Sequence, residues 1–597
     1  MKQFNLFFQI SILVLLTSCS TNKVESFDPA SFNAGLDTIK DKETNYGPTK
    51  SELTGFIDKT AFYGLENLEA TNFSLVDLDR DGFTDIMILP EYFSQPKFFR
   101  FNIHSGKFEK MESPFVGNIK ASYVLFYDLN RDKILDAIVG VLNQKTEMAQ
   151  NPIRIFKGSY ENRKLVLKEE KGVIPAAPAP SASVGLIDFD LDGDLDLYIG
   201  NWFKKTKKGT FPYRDYLLKN DKGKYTDVSE IMLGETKQNE SKTMFTNAIP
   251  SFATQICDID QNGFPDILTT GTNGYANRLW MNRYKVREKK RYFQDYGRTS
   301  LFGGDTEGNL TPKGGGRSFS LACHDYNEDG IMDIFLGEIS HNYDNEIKDK
   351  SSILSGSTFK FPPFFMRTEY FLDAKDIEWH QADRRAVWFD YNNDGLLDLL
   401  IDNAGFPPHS RMILFKQYPD HSFENVAKDM GLDIVNPQSS VIADLNRDGK
   451  MDIITAQTNL RDASIKKRIY IFENHVDTGR SRPLRLYLRG QKSNYHGLNA
   501  TVMVKVIKDN KFTIRKQNVS YSYGGLPPQN EEGLLFALAE GETIEYIKVR
   551  WPYTTSLNQS RAGLEKIYKV KKEYMQAINI TLCENGDYLV GRLPCKD

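Results

Sequence analysis

Five cysteines and eight histidines are all that 597 residues provide of the side chains that chelate metals through imidazole nitrogen or thiolate sulfur. His324, His341, His380 and His409 lie near repeated acidic loops and show no triad spacing. No Gly-x-Ser-x-Gly, His-Glu-x-x-His or Walker-type loop occurs, so the familiar hydrolase, zinc-protease and P-loop chemistries have no residues to carry them. Strong charge of one sign is missing too. A formal net charge of −3 gives no basis for a nucleic-acid partner or for general adhesion to anionic membranes. Beyond the N-terminus no run approaches the ~20 apolar residues of a membrane-spanning helix. What remains, 40% hydrophobic and 12% aromatic, suits a globular chain too long for one ordinary core.

The N-terminus is the exception to the lack of apolar runs. Lys2 precedes an apolar stretch from Phe4 to Leu16, too short to span a membrane stably, which reads as an export signal that is removed. Leu16-Thr17-Ser18-Cys19 resembles the bacterial lipobox, which implies cleavage before Cys19, lipidation of its sulfur and firm anchoring to a membrane leaflet. Residues 20–50 are polar and unpatterned, a flexible tether. In an exported chain, Cys583 and Cys595, separated by Glu-Asn-Gly-Asp, are expected to form a disulfide. Cys257 and Cys323 end apolar runs and are expected as buried free thiols.

Acid is concentrated where overall balance hides it: 23 of the 79 acidic residues occupy ligand positions in seven copies of one nine-residue loop. The best formed is Asp188-Phe-Asp-Leu-Asp-Gly-Asp-Leu-Asp196, with Asp188, Asp190, Asp192 and Asp196 at positions 1, 3, 5 and 9 and Gly193 at position 6. The first copy places Asp77, Asp79, Asp81 and Asp85 there; the second Asp128, Asn130, Asp132 and Asp136, with Lys133 in place of glycine. The fourth has Asp258, Asp260, Asn262 and Asp266, and the fifth Asp325, Asn327, Asp329 and Asp333. The sixth has Asp390, Asn392, Asp394 and Asp398, and the seventh Asp444, Asn446, Asp448 and Asp452. Carboxylates and amides converging on a sharp turn suit a hard cation, calcium above all, and without one they would repel. Position 6 calls for a left-handed backbone, which strains Lys133 by about 1 kcal/mol.

Successive loops start 51, 60, 70, 67, 65 and 54 residues apart, a period of arrays and propellers. The loop is not an EF-hand, which needs a glutamate at position 12 between helices. Position 12 here is Ile88, Val139, Ile199, Thr269, Leu336, Ile401 and Thr455, and the flanks are short apolar runs that read as strands. Asp-x-[Asp/Asn]-x-[Asp/Asn]-Gly-x-x-Asp between two strands resembles the FG-GAP/VCBS repeats of integrin α-like propellers. Phe56-Ile-Asp-Lys-Thr-Ala-Phe-Tyr-Gly-Leu65 resembles their opening segment, which would supply an outer strand to the last repeat. The resemblance implies an all-β fold: a seven-bladed β-propeller over residues 51–480.

From about Pro483 the loops stop and another β pattern follows. His496-Gly-Leu-Asn-Ala500, Leu535-Phe-Ala-Leu-Ala539 and Trp551-Pro-Tyr-Thr554 resemble, in order and spacing, the motifs of the ASPIC/UnbV domain found in bacterial proteins and in the cartilage acidic protein family. That implies a small β-sandwich-like domain at residues 481–597 and an exported binding role, with no catalytic residues. His496 is expected as a turn residue.

The seven loops are therefore read as structural calcium sites, and ligand binding is expected on the face away from them. The connections there carry Tyr92, Trp202, Phe203, Tyr275, Tyr343, Trp379 and Phe406 with Arg317, Arg384 and Arg385; of these Trp202, Tyr275, Arg317, Trp379, Arg384 and Arg385 are the candidate ligand-binding residues. Aromatics beside polar groups suit sugar rings or protein hot spots. The expected role is non-catalytic recognition of a glycan or protein at the bacterial cell envelope, in an outer-membrane lipoprotein. The alternatives are a calcium-dependent lyase-like enzyme, for which Arg384, Arg385 and His380 form the candidate cluster, and a structural assembly subunit.

Overall fold

A computed structural model describes residues 55–142, 153–162, 164–176, 179–206, 209–233, 248–304, 315–340, 349–357, 361–370, 381–554, 563–569, 571 and 579–596. The export signal, Cys19, the tether, His341, Tyr343, Trp379 and His380 lie outside the described residues.

Among the described residues the regular structure is β throughout, apart from one 3₁₀ turn at Ser229–Ile231. The runs that flank each acidic loop dictate this. Asn72–Val76 and Asp85–Leu89, before and after the first loop, are buried along their whole length, as strands covered on both faces are. Outer strands alternate instead: Lys107–Met111 buries Phe108 and turns its charges to water. In this first unit Asn72–Val76, Asp85–Leu89, Lys97–Asn102 and Lys107–Met111 pair antiparallel in chain order, in registers that include Phe73↔Ile88, Ile86↔Phe99 and Phe98↔Met111.

The arrangement recurs. First strands of the later units are Tyr123–Tyr127, Ser181–Ile187, Ser251–Cys257, Ser318–His324, Gln381–Phe389 and Pro437–Ala443, each paired with the strand that follows its acidic loop. Units 5 and 6 merge into one larger sheet through Ile339↔Ala382. Unit 7 takes its fourth strand from Phe56–Asp58, which pairs with Arg468–Asn474 across the length of the chain. Each unit packs on its predecessor through the first strands, or, between units 2 and 3, through Asp136–Gly140 and Ser181–Ile187. The first strand of unit 7 lies against that of unit 1.

Cys257 and Cys323 are joined by a disulfide, with Cα atoms 6.6 Å apart, which corrects the expectation of two free thiols. Both fall in first strands, Cys257 closing that of unit 4 and Cys323 next to last in that of unit 5. Those strands pack side by side, so two residues 66 apart in sequence meet. Cys583 and Cys595 are also bonded, with Cα atoms 5.8 Å apart.

The described residues from Arg482 onward form two further four-stranded sheets, one around Arg482–Arg489 and Asn579–Cys583 in parallel, the other around Thr501–Lys508 and Thr543–Trp551. Their apolar faces share a core of Leu486, Val504, Phe536, Val549, Trp551 and Leu582, continuous with Leu186 and Leu197 of unit 3. Between them, residues 519–531 leave the sheets and run among the first strands of the seven units. Gly524 and Gly525 pair with Thr254 and Ala253 of unit 4. Gly525 must be glycine, because a Cβ there would sit 2.2 Å from the Phe252 ring.

Candidate metal centres

Every acidic loop has the same internal bonding, set by where its carboxylates stand. Position 9 is the first residue of the second strand, and its side chain ties three chain segments together. In loop 6, Asp398 Oδ2 accepts the N–H of Tyr391 at position 2 (3.1 Å) while Oδ1 accepts that of Gln417 in the third strand (2.8 Å). Asp85, Asp136, Asp196, Asp266, Asp333 and Asp452 do the same. Position 1 turns Oδ2 to the N–H of position 6, as in Gly193 to Asp188 at 3.0 Å. Position 5 accepts the N–H of position 7, as in Ile331 to Asp329 at 2.7 Å.

These bonds leave acceptor capacity turned inward. Oδ1 of Asp77, Asp258, Asp325 and Asp444, all at position 1, is buried with no hydrogen-bond partner, as is Oδ1 of Asp190 at position 3. Asp77, Asp79 and Asp85 can bring one oxygen each within 4.8 Å of one another, and so can Asp188, Asp190 and Asp196, and Asp258, Asp260 and Asp266. A buried anionic oxygen without a partner is costly, and oxygens converging from positions 1, 3 and 9 are a donor set for a hard cation. The carboxyls register that cost. Burial, with Asp79 and Asp77 adding to it, pushes Asp85 up to about 8. Burial and then Asp394 push Asp390 up to about 8, and burial pushes Asp136, Asp325 and Asp444 up to about 7. Asp188, Asp196, Asp266, Asp333, Asp398 and Asp452 are raised well above the usual carboxylate range, again by burial first.

Loops 3 and 4 hold the closest cations of the chain itself, while Arg100 and Arg592 approach loop 1 at 3.8 and 3.9 Å and Lys450 approaches loop 7 at 3.3 Å. Lys219 Nζ pairs with Asp190 and lies 3.1 Å from Asp192. Asp260 meets Arg283 at 2.8 Å and Asp258 meets Arg550 at 2.7 Å. Of the seven loops, the third and fourth therefore carry the most internal neutralisation.

Position 4 was invisible from the spacing. It is left-handed in all seven loops, at Arg80, Arg131, Leu191, Gln261, Glu328, Asn393 and Arg447. This backbone swings the side chain toward the next loop. Arg80 donates to the Lys133 carbonyl, Gln261 to that of Gly330, Asn393 to that of Gly449 (3.1 Å), and Arg447 to that of Gly82, from loop 7 back to loop 1. Arginine at three of the seven positions was the available signal. Lys133 itself has φ +64°, as position 6 demands. Lys133→Gly is accordingly expected to raise the free energy of urea unfolding by about 0.5–1 kcal/mol, and unchanged or lower stability would contradict the strain assigned here.

The carboxy-terminal sheets cover the loop-bearing end. Asp128 N–H donates to His496 Nε2 (3.2 Å), whose Nδ1 lies 3.0 Å from Glu532, so His496 is a buried link rather than a simple turn residue. Burial would raise Glu532, but Arg489, His496 and Arg592 outweigh it and hold the carboxyl well below its usual range. Asp188 N–H donates to Asn499 Oδ1 (3.0 Å) and Asp444 N–H to Glu531 Oε2 (2.9 Å).

At the other end the expected ligand-binding residues divide. Trp202, 5% exposed, packs into a cluster with Phe203 and Phe252 at centroid distances of 4.8 and 4.9 Å. Arg385, 4% exposed, donates to the carbonyls of Tyr523 and Ser440. Both are corrected from surface to interior: each sits on the inner side of its unit, where neighbouring units close over it. Arg384 is partly exposed, held by the Ala404 carbonyl (2.9 Å) with its guanidinium 5.7 Å from the Phe319 ring centre. Tyr275 and Arg317 are half-buried, and Tyr92 is 48% exposed. Of the lyase candidates, Arg385 thus spends Nε and Nη1 on backbone carbonyls, and His380 lies outside the described residues.

An FG-GAP-like repeat family matches residues 390–455, which hold loops 6 and 7 and the strands between them. No curated protein matches the chain. Among solved structures, a chain of the complex of BBS1N with ARL6DN is similar over 71% of this chain and 98% of its own, at 11% identity and a TM-score of 0.36. A chain of the RAG complex with one melted and one unmelted RSS is similar over 68% and 95%, at 9% identity and a TM-score of 0.29. Likeness at these scores carries no functional argument.

Proposed function

We propose that this chain is an exported, lipid-anchored protein in which seven units form a seven-bladed β-propeller stapled by calcium, with a small β domain of the ASPIC/UnbV type at its end. It binds a glycan or protein ligand at the bacterial cell envelope without catalysing a reaction. The observation that carries the calcium reading is the unpaired, buried Oδ1 of Asp77, Asp258, Asp325 and Asp444, repeated at the same loop position. Residues at positions 1, 3, 5 and 9 would hold each ion, and the ion would neutralise them and brace the corner between two strands. Support for the binding face comes from burial. The loop-bearing end is covered by the carboxy-terminal sheets, whereas Tyr92, Tyr275, Arg317 and Arg384 at the other end keep accessible surface. Aromatic and guanidinium groups there suit stacking on a sugar ring or docking of a protein hot spot.

The test uses the chain without residues 1–19 on a glycan array and in pull-downs from envelope extract, with calcium present. The expected result is retention of one glycan or protein class, reduced at least about tenfold by Tyr92→Ala with Arg384→Ala, as loss of anchor contacts produces. Retention of nothing, or retention indifferent to that pair, removes this reading. Unsaturated products absorbing in the ultraviolet from a polysaccharide panel would establish the lyase in its place.

A further inference from the structure

We propose that residues 519–531 are a plug seated by the loaded loops, so that stripping divalent cations frees the plug while the seven units stay folded. This rests on the reading of the loops as calcium sites.

The seat has a central part and a rim. In the centre, Gln529 donates its N–H to the Phe73 carbonyl (3.1 Å) and accepts the Leu75 N–H (2.9 Å) of unit 1, and its side chain accepts the Phe126 N–H (2.8 Å) and donates to the Phe126 carbonyl (3.1 Å) of unit 2. Leu526 N–H donates to Ala182 of unit 3 (2.7 Å), while Asn530 Oδ1 accepts the Ile442 N–H of unit 7 (3.2 Å). The segment thus holds the units together through polar contacts. It has little structure of its own, since Gly524, Gly525, Pro527 and Pro528 prevent a longer strand. A cavity of about 90 Å³ remains beside it, bounded by the Cys257–Cys323 disulfide, His324, Gln517 and Tyr521. Val519, Tyr521, Tyr523 and Leu526 add buried apolar contacts, but with only two residues in a strand and a cavity at its side the segment is held by side chains and scattered hydrogen bonds rather than by a continuous ladder.

At the rim, the tail contacts position 1 of loops 1, 2, 3, 4 and 7 and position 6 of loops 5 and 6, and the plug itself contributes Glu531, while the sheets on either side of it contribute the rest. Arg592 lies 3.9 Å from Asp77, and Arg550 2.7 Å from Asp258. His496, Asn499 and Glu531 accept the N–H groups of Asp128, Asp188 and Asp444. Lys516 reaches the Gly330 carbonyl of loop 5 (3.5 Å), and a Cβ on Gly395 of loop 6 would sit 2.6 Å from the Arg515 guanidinium.

Emptying a loop removes the ion that would bridge oxygens lying within 4.8 Å of one another, and above about pH 8, where these carboxyls ionise, like charges repel by roughly 1–4 kcal/mol per pair at the surface. The loop relieves this by opening, which moves position 1. An emptied loop pulls harder on Arg592 and Arg550. The bonds at loops 2, 3 and 7, however, come from backbone N–H groups and depend on the loop's place rather than its charge. Position 9 keeps its two backbone partners whatever the loop holds, so the second strands stay in register. The plug loosens first.

Hydrogen exchange of the chain without residues 1–19, calcium-loaded and after chelation, with ion content measured on the same samples, tests this. Chelation is expected to speed exchange at residues 519–531 at least about tenfold, with Asp85–Leu89 and Asp398–Asn403 unchanged. Gln529→Ala is expected to speed the same segment with ion content intact. Ions that leave without change at 519–531, second strands that lose protection in step with it, or a Gln529→Ala chain with undisturbed exchange there overturn the plug proposal alone. A folded chain that never holds ions overturns the calcium reading, and this proposal with it.

Discussion

Calcium added to the metal-free chain near pH 8 is expected to raise its melting temperature by ~10 °C or more, and the gain is expected to shrink steadily toward pH 5. Each site filled at 100 times its dissociation constant contributes about 2.7 kcal/mol, and at least five sites are expected. The pH dependence follows from the loops' own carboxyls. Asp85 and Asp390 are pushed up to about 8 and Asp136, Asp325 and Asp444 to about 7, burial being the first cause in each. In the metal-free fold these groups keep protons that the unfolded chain has released above pH 4. The folded state therefore binds more protons, and stability falls as pH rises from about 4, through about 7 for Asp136, Asp325 and Asp444 and about 8 for Asp85 and Asp390. Calcium needs the same groups ionised, so its affinity moves the opposite way. Melting curves at pH 5, 6.5 and 8, with calcium and with EDTA, check both slopes. A metal-free chain that gains stability between pH 5 and 8, or a calcium increment that is flat with pH, would contradict the account. Titration calorimetry showing no calcium binding to folded protein would end it.

Asp398→Ala is expected to destabilise the chain by about 3–5 kcal/mol even in EDTA, whereas Asp394→Ala in the same loop costs about 1 kcal/mol there. Asp398 is fully buried, and its removal leaves the N–H groups of Tyr391 and Gln417 without acceptors and opens a void. Asp394 is exposed; its loss frees the N–H of Leu396 (2.9 Å), which water can reach. With calcium present both variants also lose the ion of loop 6, so both costs grow by the same amount and their difference stays. Asn at 398 does not rescue, because one of its two terminal atoms would present N–H to N–H. Urea unfolding in EDTA and in calcium gives the four values needed. Equal costs in EDTA would mean that position 9 is a metal ligand and nothing more.

The repeated loop was legible because its requirements are local. A left-handed position 6 selects Gly82, Gly193, Gly263, Gly330, Gly395 and Gly449, and the φ of Lys133 shows that the demand holds where glycine is missing. The apolar runs beside Asp77 or Asp390 declare buried strands by composition alone. Contacts between units left no such trace. Glutamine at 529 and glycine at 525 look like ordinary loop residues, yet one bonds units 1 and 2 and the other has no room for a Cβ. Trp202 and Arg385 have the chemistry of a binding surface and were expected on one; neighbouring units enclose both.

The sequence by itself determined that the chain is all-β and built on seven acidic loops that each join two buried strands, since spacing, turn residues and apolar runs act within about ten residues of one another. Tertiary structure alone decided the rest: that Cys257 bonds Cys323, that position 4 of one loop holds the next, and that the tail covers the loops and threads among the first strands. Those outcomes depend on which strands lie side by side. Packing between distant segments fixes that, and no stretch of this chain encodes it locally.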